Sequence, residues 1–175
     1  IDKAVELLGG LDGLVNNAGI CNIDNGFLNV TVESYDEQFL LNVKSPFFLT
    51  QAFVKYCTDN AVQSAGVVFI TSERGMYPDD APYGMTKAAI GNIIAGIARQ
   101  FATKGIHCNA IAPGFIVTEM TDATTDAQRK FWMDMVPMRR GGQTEEVANV
   151  ALFLASDLAS YVSGQVINCC GGLTP

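Results

Sequence analysis

Short apolar runs alternate with long helical patterns along the 175 residues of this chain. Four runs read as strands: 11–17 (LDGLVNN), 66–72 (GVVFITS), 106–112 (IHCNAIA) and 165–170 (QVINCC). Their hydrophobicity is nearly continuous instead of alternating, as in parallel sheets covered by helices on both faces. Between them, apolar positions three and four apart predict helices over 33–58, 83–104 and 144–155, with a weaker one over 119–136. Asn42, a poor helix former, stands inside the first and is expected to interrupt it. In the opening IDKAVELLGG, Ile1, Ala4, Val5 and Leu8 already keep helical spacing, no capping residue precedes them, and Gly9-Gly10 read as the stop. The chain is therefore expected to open part-way through a helix. The predicted fold class is α/β: a doubly wound parallel sheet with helices on both faces, incomplete at its N-terminal end, in a single domain over 1–175.

Composition narrows the function classes. Hydrophobic residues make up 49% and charged residues 17%, which is globular and not disordered. A net charge of -7 argues against a nucleic-acid partner, since phosphate contacts need clustered Lys and Arg. No apolar run approaches the roughly 20 residues that cross a bilayer, so no membrane partner is expected. Five cysteines, without CxxC spacing, suggest reduced thiols in a cytoplasmic protein. No metal site is expected: the single histidine, His107, has no second ligand at a useful spacing and reads as an ordinary strand residue.

Each predicted strand ends in small or polar residues: Asn16 to Gly19, Thr71-Ser72, Ala112 to Gly114, and Gly171-Gly172. Ligands of open α/β sheets bind at the carboxyl ends of the strands, so these tips point to one crevice. Tyr83 and Lys87, four apart at the start of a helix just after Pro82, are expected to face it. By spacing alone such a pair arises by chance in about one chain in six, and a surface pair is the bland alternative. Beside the crevice, the ammonium and the helix N-terminus are expected to lower the Tyr83 pKa toward the range of a general acid or base. Ser72 is either a hydroxyl donor to a substrate carbonyl or a strand-end serine bonding backbone. As a hydrolase nucleophile it lacks the G-x-S-x-G turn and a histidine partner.

In order along the chain, NNAG (16–19), Asn42 in LLNVKSPFFLTQ, Ser72, YGMTK (83–87), NAIAPGFIVT (109–118) and YVSGQVINCCGG (161–172) resemble the motifs of the short-chain dehydrogenases/reductases. The resemblance covers essentially the whole chain and implies a Rossmann-like fold. It implies a catalytic tetrad of Asn42, Ser72, Tyr83 and Lys87, in which Tyr83 exchanges a proton with the substrate oxygen, Ser72 holds that oxygen, Lys87 binds the nicotinamide ribose and Asn42 binds a relay water. It implies NAD or NADP held by Asn16, Asn17, Ala18, Gly19, Tyr83, Lys87, Pro113, Gly114, Ile116 and Thr118. The family's glycine-rich strand-turn-helix is absent, so the chain reads as strands 4 to 7 of the family sheet, expected alone to bind cofactor poorly and to be inactive.

Three departures stand out. Ser72 and Tyr83 are 11 apart, a short and acidic connection. Cys170 stands where relatives often carry Asp and is expected to loosen the C-terminal segment. The basic residue that carrier-protein reductases often set before VVFITS is Gly66 or Val67 here, leaving Arg99. Residues 118–138 occupy the place of the substrate lid, where Phe131, Trp132, Met133, Met135 and Met138 line an apolar pocket or pack on the core. The expected activity is NAD(P)-dependent interconversion of a secondary alcohol and a ketone, on a small free substrate. Within that class the chain resembles 3-oxoacyl-carrier-protein reductases or hydroxysteroid and sugar-alcohol dehydrogenases. The rival is a non-catalytic nucleotide-binding or structural subunit. The resemblance implies a homodimer or homotetramer, built through the helices over 43–58 and 83–104.

Overall fold

The computed structural model describes residues 1–22, 26–118, 121 and 125–174. Four strands, β1 (Gly13–Asn16), β2 (Ala65–Ile70), β3 (Ile106–Pro113) and β4 (Val166–Cys169), form one sheet in the order β1-β2-β3-β4. Every pairing is parallel, with Val15 beside Val68, Phe69 beside Ala110, and Ile111 beside Ile167. Parallel neighbours need crossover helices. These are α2 (Val32–Phe39) and α3 (Ser45–Asp59) after β1, α4 (Pro82–Phe101) after β2, and α5 (Asp126–Met135) and α6 (Thr144–Ala155) after β3. A short α1 (Asp2–Leu8) precedes the sheet and ends at Gly9 in the left-handed conformation, the stop expected from its glycine.

The central strands bury both faces, which is why their sequence does not alternate. Val67 and Phe69 pack with Phe53, Val54 and Cys57 of α3 and with Ile90 and Ile94 of α4. Val68, between them, turns to the opposite face with Ile111, Leu154 of α6 and Ala159. Each fully buried aliphatic or aromatic side chain contributes roughly 1.5–3 kcal/mol, so helices on both sides of β2 and β3 supply most of what holds the sheet.

The helix expected over 33–58 is divided. Residues Leu40–Lys44 form a π-helical turn between α2 and α3, and Asn42 is the residue it buries. Such single wide turns occur often at functional sites, because the extra residue swings one side chain off the regular ladder.

Candidate active site

A parallel sheet places all four strand ends on one edge, and α4 starts there. Ala81 is the N-cap of α4 and Pro82 occupies its first turn, where a missing N–H costs nothing. Tyr83 therefore lies at the helix entrance and Lys87 one turn further. The Thr71 hydroxyl, at the tip of β2, donates to the Lys87 carbonyl at 2.8 Å and ties the helix to the strand. Gly75 makes the fit possible: a Cβ there would stand 2.7 Å from the Lys87 carbonyl carbon.

Lys87 is buried, and its Nζ donates to the Ile70 carbonyl at 3.0 Å while sitting 5.5 Å from the centre of the Tyr83 ring. Asn42 bridges two elements. Its Oδ1 accepts the Ile20 N–H at 2.9 Å, and its Nδ2 donates to the Ile20 carbonyl at 2.8 Å and to Thr86 Oγ1 at 3.1 Å. A Cβ at Gly19 would lie 3.2 Å from Asn42 Oδ1 and 3.3 Å from Lys87 Nζ, so the β1 tip, Asn42 and Lys87 share one corner. Ser72 joins them from the loop after β2, with its hydroxyl donating to Glu73 Oε2 at 2.9 Å and accepting the Arg74 N–H at 3.2 Å.

The pKa expected for Tyr83 is corrected. Burial pushes the phenol up to about 12, against an opposing hydrogen bond from Ser72; Cys21 and Glu73 raise it further and Arg74 lowers it. Burial likewise pushes the Lys87 ammonium down to about 8. Desolvation penalises whichever form carries charge, and in this closed corner it outweighs the attraction that the sequence reading relied on. Burial also raises the Glu73 carboxyl, which the Ser72 hydrogen bond opposes.

Some features escaped the sequence reading. Arg74 makes a two-pronged ion pair with Asp79, Nε–Oδ2 at 2.7 Å and Nη2–Oδ1 at 2.9 Å, and its guanidinium lies 5.3 Å from the Tyr83 ring centre. The run of Glu73, Arg74, Asp79 and Asp80 signalled only an acidic loop. Arg74, Tyr77, Pro78, Asp79, Asp80 and Trp132 line a cavity of about 610 Å³, reached from the phenol only through Arg74. Trp132 comes from α5, whose described residues include none that is buried, so the lid residues do not pack as core. Residues 119, 120 and 122–124 of the expected lid lie outside the described residues.

The groups expected to hold cofactor divide in two. Asn16 turns its side chain inward to Thr50 Oγ1 at 2.9 Å, while Asn17 and Ala18 are exposed, so this tip offers backbone. Pro113 ends β3 and Gly114 follows it, with the Gly114 N–H on the Cys169 carbonyl at 3.1 Å. Ile116 pairs with Gly142 and lines a separate cavity of about 510 Å³, which no tetrad member lines; the Thr118 N–H bonds Thr121 Oγ1 at 2.9 Å. The tip of β4 is not loosened by Cys170: its buried sulfur accepts the Thr174 N–H at 3.4 Å and closes the last turn. No disulfide joins any of the five cysteines.

A family model described as enoyl-(acyl carrier protein) reductase matches residues 1–174. The chain belongs to the short-chain dehydrogenase/reductase family. It is 38% identical to a 3-oxoacyl-(acyl-carrier-protein) reductase of Thermotoga maritima over 175 residues, covering 99% of this chain and 70% of that protein. A Staphylococcus aureus protein of the same description is 37% identical with the same coverage. An Agrobacterium tumefaciens structure described as a 2-deoxy-D-gluconate 3-dehydrogenase with bound NADP superposes with a TM-score of 0.88 at 37% identity, over 94% of this chain and 68% of that one. A Sinorhizobium meliloti structure described as a short-chain alcohol dehydrogenase gives 0.90 at 33% identity, over 98% and 69%. This family member is an NAD(P)-dependent oxidoreductase acting on CH–OH groups, the reaction class expected from its motifs. No helix among the described residues is long and apolar enough to cross a membrane.

Proposed function

We propose that Asn42, Ser72, Tyr83 and Lys87 are the working groups of a dehydrogenase that interconverts a secondary alcohol and a ketone. The observation that carries this reading is the gathering of all four from three separate elements into one largely buried corner. The nicotinamide cofactor, when bound, supplies or accepts the hydride. Tyr83, neutral while its pKa stands near 12, gives its proton to the carbonyl oxygen in reduction and recovers it in oxidation. Ser72 exchanges Glu73 Oε2 for that oxygen and orients it. Lys87, with its ammonium weakened by burial, passes a proton toward the phenol and donates to the cofactor ribose. Asn42 holds the wide turn against Ile20 and Thr86 and steadies the path by which Lys87 is refilled. Lys87 and the backbone of Asn16 to Gly19 would hold the cofactor's sugar, and the segment from Pro113 to Thr118 would meet its nicotinamide.

The cavity on the outer side of Arg74 supports a small, free, hydroxyl-bearing substrate. Asp80 is an acceptor for hydroxyl groups and Tyr77 and Trp132 are apolar faces, whereas an acidic carrier protein would call for a basic surface. Five cysteines without CxxC spacing support a reducing, cytoplasmic setting. Exposed Phe47, Phe48 and Leu49 on α3 support self-association.

The test is Tyr83→Phe in the natural polypeptide that carries this sequence, assayed by nicotinamide turnover with small hydroxy-ketones and with a carrier-linked 3-oxoacyl thioester. Loss of a general acid–base group lowers kcat by about 10²–10⁴-fold. Unchanged turnover sinks the catalytic assignment, and faster turnover of the carrier-linked thioester by the unaltered protein sinks the substrate assignment.

A further inference from the structure

Between Ser72 and Tyr83 the chain makes a compact ionic bracket. The Arg74 fork meets both oxygens of Asp79, and Asp79 Oδ1 also accepts the Ala81 N–H at 3.0 Å, the residue that caps α4. The Asp79 side chain is 6% exposed and that of Arg74 32%, so this pair is shielded where an ordinary surface pair is not. Gly84, in the first turn of α4, leaves the room: a Cβ there would overlap the Asp79 side chain. The remaining Arg74 nitrogen, Nη1, reaches Cys21 Sγ at 3.9 Å, across the crevice from the β1 tip. Arg74 thus ties together the loop after β2, the entrance to α4 and the segment after β1, and its guanidinium faces the Tyr83 ring at 5.3 Å.

We propose that Arg74, clamped by Asp79, is a positioning residue for the reaction of Tyr83: it holds a fixed positive charge over the phenol and sets the geometry of the loop that carries Ser72. Arginine suits this place because its planar fork meets a carboxylate at two points and still presents a flat cation to a ring, which a lysine cannot do. The groups facing Tyr83 are Cys21 from the segment after β1, Ser72, Glu73 and Arg74 from the loop after β2, and Lys87 from α4 itself. Cys21 and Glu73 oppose the phenolate, and Arg74 is the cation beyond Lys87 that faces the ring. The fork from Arg74 to Asp79 braces the short loop between Ser72 and Tyr83.

This inference rests on the reading of Tyr83 as the acid–base group, and its test separates the two. Alcohol oxidation by Arg74→Met is followed against pH in the natural polypeptide, alongside Tyr83→Phe. A near-ultraviolet phenolate titration compares Arg74→Met with Arg74→Met/Tyr83→Phe, and the unaltered protein with Tyr83→Phe. The expected result is that the ascending limb of kcat/KM and the Tyr83 titration both move to higher pH, because an opposing cation within reach favours the phenolate. Arg74→Lys, which restores charge without the fork, brings the limb part of the way back. If circular dichroism shows Arg74→Met unfolded, Arg74→Gln keeps a donor for Asp79 without the charge and carries the same comparison. A limb and a titration that stay where they are in the folded neutral variant overturn the proposal, whatever happens to the rate. Oxidation unchanged in Tyr83→Phe overturns instead the reading on which it rests, while the titration still decides the role of Arg74.

Discussion

Burying Lys87 beside Tyr83 disfavours the ammonium of one and the phenolate of the other, through the same loss of water. For Lys87 the consequence for stability has a definite sign. Its pKa falls from 10.5 to about 8 on folding, so the cost of the buried charge is fully present below about pH 8. It is relieved as pH rises toward 10.5, because the unfolded chain then holds the proton that the folded one has released. Lys87→Met is therefore expected to gain stability over the unaltered chain at neutral pH and to lose that advantage across the window. Melting temperatures of both proteins against pH check this, and parallel curves would count against a buried charge. Tyr83 and Lys87 were legible as a pair because motif and helical spacing are local properties. The direction of the Tyr83 shift was not, because the depth of burial depends on segments from three other parts of the chain.

Close backbone approach governs the element scale. The turn over Glu73–Gly75 lies directly under the first turns of α4, and the missing Cβ of Gly75 is what lets them meet. Gly75→Ala is expected to cost about 1–3 kcal/mol, the usual range for overpacking a well-packed site. A urea midpoint that does not move would mean that the turn and the helix separate freely. The π-helical turn at Leu40–Lys44 was half visible in advance. Asn42 marked an interruption, since its propensity in a helix is poor. That the interruption would be a widened turn rather than a break was decided by bonds to Ile20 and Thr86, both distant in sequence.

Across the whole molecule, the helices that cover one face of the sheet leave apolar surface on their outer side. Phe47 is 43% exposed, Phe48 52% and Leu49 42%, with the two phenylalanine rings edge to face at 5.3 Å. In a self-associating protein, Phe48→Glu is expected to lower the mass observed by sedimentation without loss of helical signal; an unchanged mass removes α3 from the interface. The sequence alone determined the strand set and the α/β class and singled out the side chains proposed to react, because these follow from periodicity and from residue types at short spacing. Only the tertiary structure decided how each of them is partnered. It assigned the Ser72 proton to Glu73, the Asn16 amide to Thr50, and the Arg74 fork to Asp79 over the Tyr83 ring. Such partnerships form when helix packing closes a crevice and drives water from it. No residue's immediate neighbours in the chain encode how much water is left.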